Sequence, residues 1–322
     1  LDAEAGKKTK KKHNFSGDKM TNQKANIILD SSKIDLFETC PQRYDYRHNQ
    51  NKDLPIHKRA EALDKGTLIH EGFGVYYQLL SQGVKYKERC EASMMKIREL
   101  SSNPENSWLE PEDVSIVISG AEGSLDYWRA EDENCLEILA VEQPFLFLLF
   151  EDEYVRILIS GKIDLLVNFH GIGNNASYEN LVIDHKSFSR ESPVLRLTNQ
   201  FICYCIAAGS NYLVVNRVGL HDPNVKKPKP AEEKFKRLPL SYDPIYFEQW
   251  KQNLITMITQ EYLTCVSTGK WPMKPTSCNK FNRLCEYYEV CDSSGQEAKF
   301  FKLSENYVDV SPWDVTSKLV KK

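Results

Sequence analysis

Gly161-Lys162-Ile163-Asp164-Leu165-Leu166-Val167, a Gly/Asn-rich turn, then Leu181-Val182-Ile183-Asp184-His185-Lys186-Ser187: these two apolar runs, each with an acid inside it, decide the fold. The stretches Arg156 to Val167 and Leu181 to Ser187 have the Ile, Leu and Val content of strands, and the Gly171 to Ser177 turn predicts an antiparallel hairpin. Side chains alternate along a strand, so Asp184 and Lys186 share one face and His185 points to the other. With Asp164 facing the same way on the neighbouring strand, two carboxylates and an ammonium converge. Phosphodiester hydrolysis uses that kit. Two hard carboxylates hold Mg²⁺ or Mn²⁺ against a phosphate, and a lysine orients the water and offsets developing charge. A surface ion pair is the competing reading. The buried run Leu181-Val182-Ile183 argues against it, because ionised groups rarely follow such a run without partners.

Working outward, Ile138 to Phe150 is apolar enough for one strand or two, with Glu142 near its start. Ile69, Phe73, Tyr76, Tyr77 and Leu80 recur at helical spacing, although Gly72 and Gly74 weaken that helix. Pro193 to Ala208 reads as a helix and Tyr212 to Leu220 as a strand. Phe247, Trp250, Leu254, Ile258 and Glu261 form one stripe of a long helix that Gly269 closes and Pro272 keeps closed. Helices on both sides of a β-meander predict an α/β domain with a central mixed sheet flanked by helices. That domain is expected over residues 29–300, between a basic tail (1–28, with a lysine run from Gly6 to Lys12 and Met20 as a candidate start) and a C-terminal tail (301–322). The sequence shows no Walker A motif, GxGxxG or internal repeat, so a nuclease fused to a helicase motor is not expected.

Hydrophobic residues make up 41% and charged residues 27% of the 322, which predicts a folded core. The net charge of −3 lacks the global basic footprint of a nucleic-acid binder, leaving room only for a local basic groove. No apolar run of membrane-spanning length and no leader is present, so a cytoplasmic protein is expected. Nine cysteines are too few for a disulfide scaffold. Cys90, Cys135, Cys203, Cys205 and Cys265 read as ordinary buried residues. Cys278-x₆-Cys285-x₅-Cys291 and the remote Cys40 offer four thiolates, which suit Zn²⁺ or an iron–sulfur cluster. The tight C-x₂₋₄-C pairs of structural zinc are missing.

Asp164, Asp184 and Lys186 resemble the D…(D/E)xK motif of the PD-(D/E)xK nuclease superfamily. Gly66-Thr67-Leu68-Ile69-His70 resembles the G-x-x-x-H segment of RecB-like nucleases, and Gln200-Phe201-Ile202-Cys203-Tyr204 resembles their QxxxY motif, in the same order. Thr39-Cys40-Pro41-Gln42-Arg43-Tyr44 is similar to the C-P-x-x-Y segment around the first cluster cysteine of the AddB-type and CRISPR-associated iron–sulfur exonucleases. Their trio is commonly C-x₂-C-x₅-C, so the first gap here is longer.

The resemblance implies a restriction-endonuclease-like fold with an iron–sulfur clasp joining its two ends. It implies Mg²⁺ or Mn²⁺ on His70, Asp164, Asp184 and the backbone carbonyl of His185, with Lys186 assisting the water and Glu142 as an auxiliary acid. Gln200 and Tyr204 would touch DNA, and Cys40, Cys278, Cys285 and Cys291 would hold a 4Fe-4S cluster. The implied activity is a metal-dependent deoxyribonuclease, an exonuclease on single-stranded or end-containing DNA in recombination, repair, phage replication or CRISPR adaptation. The alternative is a DNA-end-binding iron–sulfur module acting with a recombination or adaptation protein.

Overall fold

The computed structural model describes residues 24–311 except 59, 104–107, 172–175, 191–192, 222–226, 228 and 281–282. The lysine run, Met20 and most of the Gly/Asn turn lie outside the described residues. The described residues begin with strand β1 (Ala25–Leu29) and helix α1 (Ser31–Thr39), whose cap Asp30 accepts the Lys33 N–H at 2.9 Å. A helical turn, α2 (Pro41–Tyr44), continues into a π-turn (Asp45–Asn49) and a short strand, β2 (Lys52–Asp53). Helices α3 (Glu61–Ser81), α4 (Tyr86–Ser101) and α5 (Pro111–Cys135) precede the meander β3 (Leu136–Glu151), β4 (Val155–Phe169) and β5 (Tyr178–Phe188). Then come α6 (Asn199–Ala208), β6 (Tyr212–Gly219), α7 (Ala231–Lys234), β7 (Phe235–Ser241), α8 (Pro244–Met257) and α9 (Leu263–Thr268). The C-terminal part holds β8 (Asn279–Lys280), β9 (Arg283–Leu284), α10 (Tyr288–Cys291), α11 (Gln296–Asn306) and β10 (Val308–Asp309), and β10 pairs with β2.

The sheet has six strands and is mixed, as the alternation of strands and helices predicts. β3 runs antiparallel to β4 along almost its whole length. The opposite edge of β4 is shared. β1 pairs with it in parallel from Val155 to Ile159, and β5 pairs antiparallel from Leu165 to Phe169. Residues 160–164 therefore have no ladder partner on that edge among the described residues, and β5 bends away to run parallel with β6. The sheet forks there. Helices α3, α4 and α5 bury Phe73, Tyr76 and Ile97 with Leu165, Val167, Leu181 and Ile183. On the other face, α1, α6 and α8 pack with Ile157, Ile159 and Val182.

Several expectations need correction. Residues 25–28 belong to β1, because their backbone pairs in parallel with Val155 to Leu158 of β4, so the folded part begins earlier than residue 29. Residues 301–309 lie in α11 and β10, with Leu303 buried against Tyr46 and Tyr287, so this stretch is no tail. Helix α6 starts at Asn199 rather than Pro193: Thr198 caps it by accepting the Phe201 N–H, and the Arg196 carbonyl accepts the Tyr242 hydroxyl instead. A π-turn at Ile258–Tyr262 inserts a residue after α8, turning Tyr262 inward and leaving Glu261 exposed. Gly72 strengthens the packing of α3 rather than weakening it, because a Cβ there would stand 2.7 Å from the Ile97 side chain.

One buried charge cluster fastens α3 and α5 to the sheet. Arg237 on β7 reaches Asp132 and Glu131 at 2.5 Å each, and the Tyr77 hydroxyl donates to Asp132 at 3.1 Å. Removing one partner strands a buried charge, so Arg237→Met is expected to cost about 3–5 kcal/mol in urea unfolding. The double variant with Asp132→Asn should recover much of that loss, and equal losses would refute the account.

Candidate active site

At the fork, side chains replace the missing ladder. The His185 N–H donates to Asp164 Oδ2 at 2.9 Å, and His70 Nδ1 stands 3.2 Å from the same oxygen. His70 arrives on α3, whose second turn lies close to β5: a Cβ on Gly66 would meet Ser187 Oγ at 3.6 Å. Glu142 comes from β3 with φ +51°, a left-handed backbone that costs a glutamate about 1–3 kcal/mol and marks a position held by its surroundings. Among the described residues, one set of potential ligands has donor atoms all within 4.8 Å of one another. It is His70, Glu142 and Asp164.

Asp184 stands beside that set, not in it. It is fully buried; Oδ1 accepts Lys186 Nζ at 3.0 Å, while Oδ2 has no hydrogen-bond partner among the described residues. Lys186 Nζ also donates to Gln200 Oε1 at 3.0 Å, and Gln200 Nε2 donates to Tyr204 Oη at 2.9 Å. Asp184, Lys186, Gln200 and Tyr204 thus form one hydrogen-bonded line along the fork. The i, i+4 spacing on α6 puts the last two on one helical face. His185 is buried on the far side, its ring stacked on Tyr77 and bonded to Asn216 Nδ2 at 3.0 Å.

The two acids titrate in opposite directions. Burial pushes Asp164 up, but the His70 imidazole and the His185 N–H outweigh it and hold the carboxyl well below its usual range. Burial dominates at Asp184, with Lys186 only partly compensating and Asp164 adding repulsion, so its carboxyl is pushed up to about 7. Burial alone would lower His70, but Asp164 raises it. Burial lowers His185 to about 3, leaving its ring neutral. An orphaned buried carboxylate oxygen beside two further acids and an imidazole is a donor set that suits a hard divalent cation. The cleft above the fork has a volume of about 620 Å³, and its lining includes Lys33, Arg47, His48, Lys162 and Asp164.

A model of the PD-(D/E)XK nuclease superfamily matches residues 31–292. The chain belongs to that superfamily. Among solved structures, the nuclease is similar to the crystal structure of SSO0001, with 13% identity, coverage of 51% of this chain and 70% of that one, and a TM-score of 0.26. No curated protein matches it. PD-(D/E)XK nucleases use divalent metals, and the His70–Glu142–Asp164 set is this chain's candidate metal centre. No helix among the described residues is long and apolar enough to cross a membrane.

Sequence reasoning gave Glu142 only an auxiliary place and did not single out Lys162, its ion-pair partner. A lone acid inside the apolar run Ile138 to Phe150 was the available signal for the first. Cys40, Cys278, Cys285 and Cys291 form no group among the described residues whose sulfurs all lie within 4.8 Å of one another. Burial raises the Cys291 thiol, with Cys40 and Cys278 close enough to add to the effect, and Cys291 bears in turn on Cys285. The Cys285 N–H donates to the Cys278 carbonyl at 2.8 Å, and Cys40 Sγ accepts the Lys274 N–H at 3.5 Å.

Proposed function

We propose that this nuclease is a divalent-metal-dependent deoxyribonuclease, an exonuclease acting on single-stranded or end-containing DNA. One observation carries the reading: at the fork, His70, Glu142 and Asp164 close on one point beside the unsatisfied carboxylate of Asp184 and the Lys186 ammonium. His70, Asp164, Asp184 and the His185 carbonyl would hold Mg²⁺ or Mn²⁺, with Glu142 joining them. When bound, the cation supplies Lewis-acid polarisation of the phosphate and a more acidic water. Lys186, steered by Asp184 and Gln200, orients the attacking water and offsets charge on the phosphorane. Tyr204 and Gln200 keep that ammonium in place and face the strand being cut.

The second reading is a DNA-end-binding module serving a recombination or adaptation partner. The complete acid and lysine set favours the enzyme. Cys40, Cys278, Cys285 and Cys291 would carry a 4Fe-4S cluster. The tight C-x₂₋₄-C pairs usual in structural zinc are missing from this sequence, which favours the cluster over zinc.

The test is an anaerobic assay on 5′- and 3′-labelled single and double strands, with Mn²⁺ or with EDTA. Metal-dependent loss of nucleotides from one labelled end is expected; end binding without cleavage would favour the binding module. Gln200→Ala is expected to lower kcat about 10–100-fold while leaving Mn²⁺ affinity unchanged, since it supports a ligand's neighbour rather than the metal. An unchanged kcat would remove Gln200 from the site.

A further inference from the structure

We propose that Lys162 is a second working lysine of this cleft, one that neutralises Glu142 before a divalent cation binds and turns to a substrate phosphate once the cation takes that carboxylate. The proposal rests on the nuclease reading above and assigns a role to a residue outside the D…DxK set.

Lys162 and Asp164 sit two residues apart on β4, within the stretch that lacks a ladder partner on the edge shared by β1 and β5, and both line the cleft. The Lys162 ammonium forms an ion pair with Glu142 Oε2. Yet Glu142 also offers an oxygen within 4.8 Å of the ligand atoms of His70 and Asp164. Its carboxylate thus serves two cations, a resident ammonium and a divalent ion. Placing the divalent ion between His70, Glu142 and Asp164 sets its double charge close to the ammonium, and the two repel.

Neither lysine nor glutamate can escape by moving its backbone. A Cβ on Gly161 would stand 2.4 Å from the Phe145 ring, so β3 and β4 are pressed together beside Lys162. The φ of +51° fixes Glu142 on the facing strand. Other acids of the cleft are already engaged: Asp30 caps α1 and pairs with Lys33, and Asp164 accepts from His185 and faces His70. The Lys162 side chain is 37% exposed to the cleft, so an arriving phosphate is the anion within its reach. Metal and DNA then help each other bind. The metal frees a phosphate-binding ammonium, and DNA withdraws the metal's competitor, a reciprocal coupling.

The experiment compares wild type, Lys162→Met, Lys162→Gln and Lys162→Arg, with Asp164→Asn as the control for the metal centre. Mn²⁺ affinity is measured by calorimetry without DNA. Binding of a single-stranded oligonucleotide is measured against salt, with Ca²⁺ replacing Mn²⁺ to hold off cleavage. Lys162→Met and Lys162→Gln should bind Mn²⁺ several-fold more tightly than wild type. Their salt dependence should fall by about 0.7 in log–log slope, the signature of one lost contact to a single strand. Lys162→Arg should keep the wild-type slope. Unchanged or weaker Mn²⁺ binding in both neutral variants, or an unchanged slope, overturns the role of Lys162. Wild-type Mn²⁺ binding that Asp164→Asn fails to weaken overturns the metal centre itself, so the two failures are distinguishable.

Discussion

Asp184→Asn is expected to end cleavage while making the metal-free protein harder to unfold. Losing the charge of Asp184, a proposed metal ligand, should remove roughly 4 kcal/mol or more of transition-state stabilisation, about 10³-fold in rate. The stability gain comes from burial. Asp184 is fully buried and its carboxyl is raised from 3.8 to about 7, so ionising it is unfavourable in the folded state. A group raised in this way leaves stability intact below the unfolded value and erodes it as pH climbs through the folded one. The variant's advantage in Tm should therefore be absent near pH 4 and full above about pH 7. Mn²⁺ should raise the Tm of wild type and barely move that of the variant, because only a bound ligand stabilises. Cleavage within tenfold of wild type would refute the assignment.

Cys285→Ser should cost stability first and activity only in consequence. A cluster on Cys40 and the Cys278–Cys291 trio would tie the end of α1 to a segment more than 230 residues away. Treated as a cross-link closing a loop of that size, it is worth about 5 kcal/mol. Burial pushes the Cys285 thiol up to about 11, so without a metal the site holds a protonated thiol whose side-chain partner is Glu286 Oε2 at 3.8 Å. The measurements are iron and sulfide content of anaerobic protein, absorption near about 400 nm and thermal unfolding. Wild type should contain iron, and the serine variant should lose both colour and Tm. Stoichiometric zinc without iron, or a serine variant with unchanged Tm, would defeat the clasp.

The hairpin and its acids were legible because a strand's period of two is written in the sequence. Leu181 to Ile183 announces a buried run, and Asp184 and Lys186 just beyond it, at i and i+2, share a face. The relation between Asp164 and Asp184 was only half legible. It depends on β5 leaving β4 at a fork that β1 shapes, and the five residues from Ala25 to Leu29 are too few to show a period. The closeness of Glu142 to His70 and Asp164 was hard to read for a similar reason. Its place in the candidate metal centre comes from a left-handed φ and from cross-strand register, and neither has a local signature. The start of α6 went to Thr198 because a capping hydroxyl and a tertiary bond to Arg196 outweigh the usual preference for proline in a first turn.

The forked edge of β4 also orders events in time. β3, β4 and β5 are consecutive, so their pairing closes short loops, whereas β1 meets β4 across 130 residues, from Ala25 to Val155. Long-range pairing pays its closure entropy before any contact rewards it. The meander is therefore the template, and β1 with α1 is the late arrival that walls the cleft. Opened transiently, the same edge would let amides of β1 exchange with solvent before those of β5. The acids of the fork would then outlast the wall of the cleft beside them.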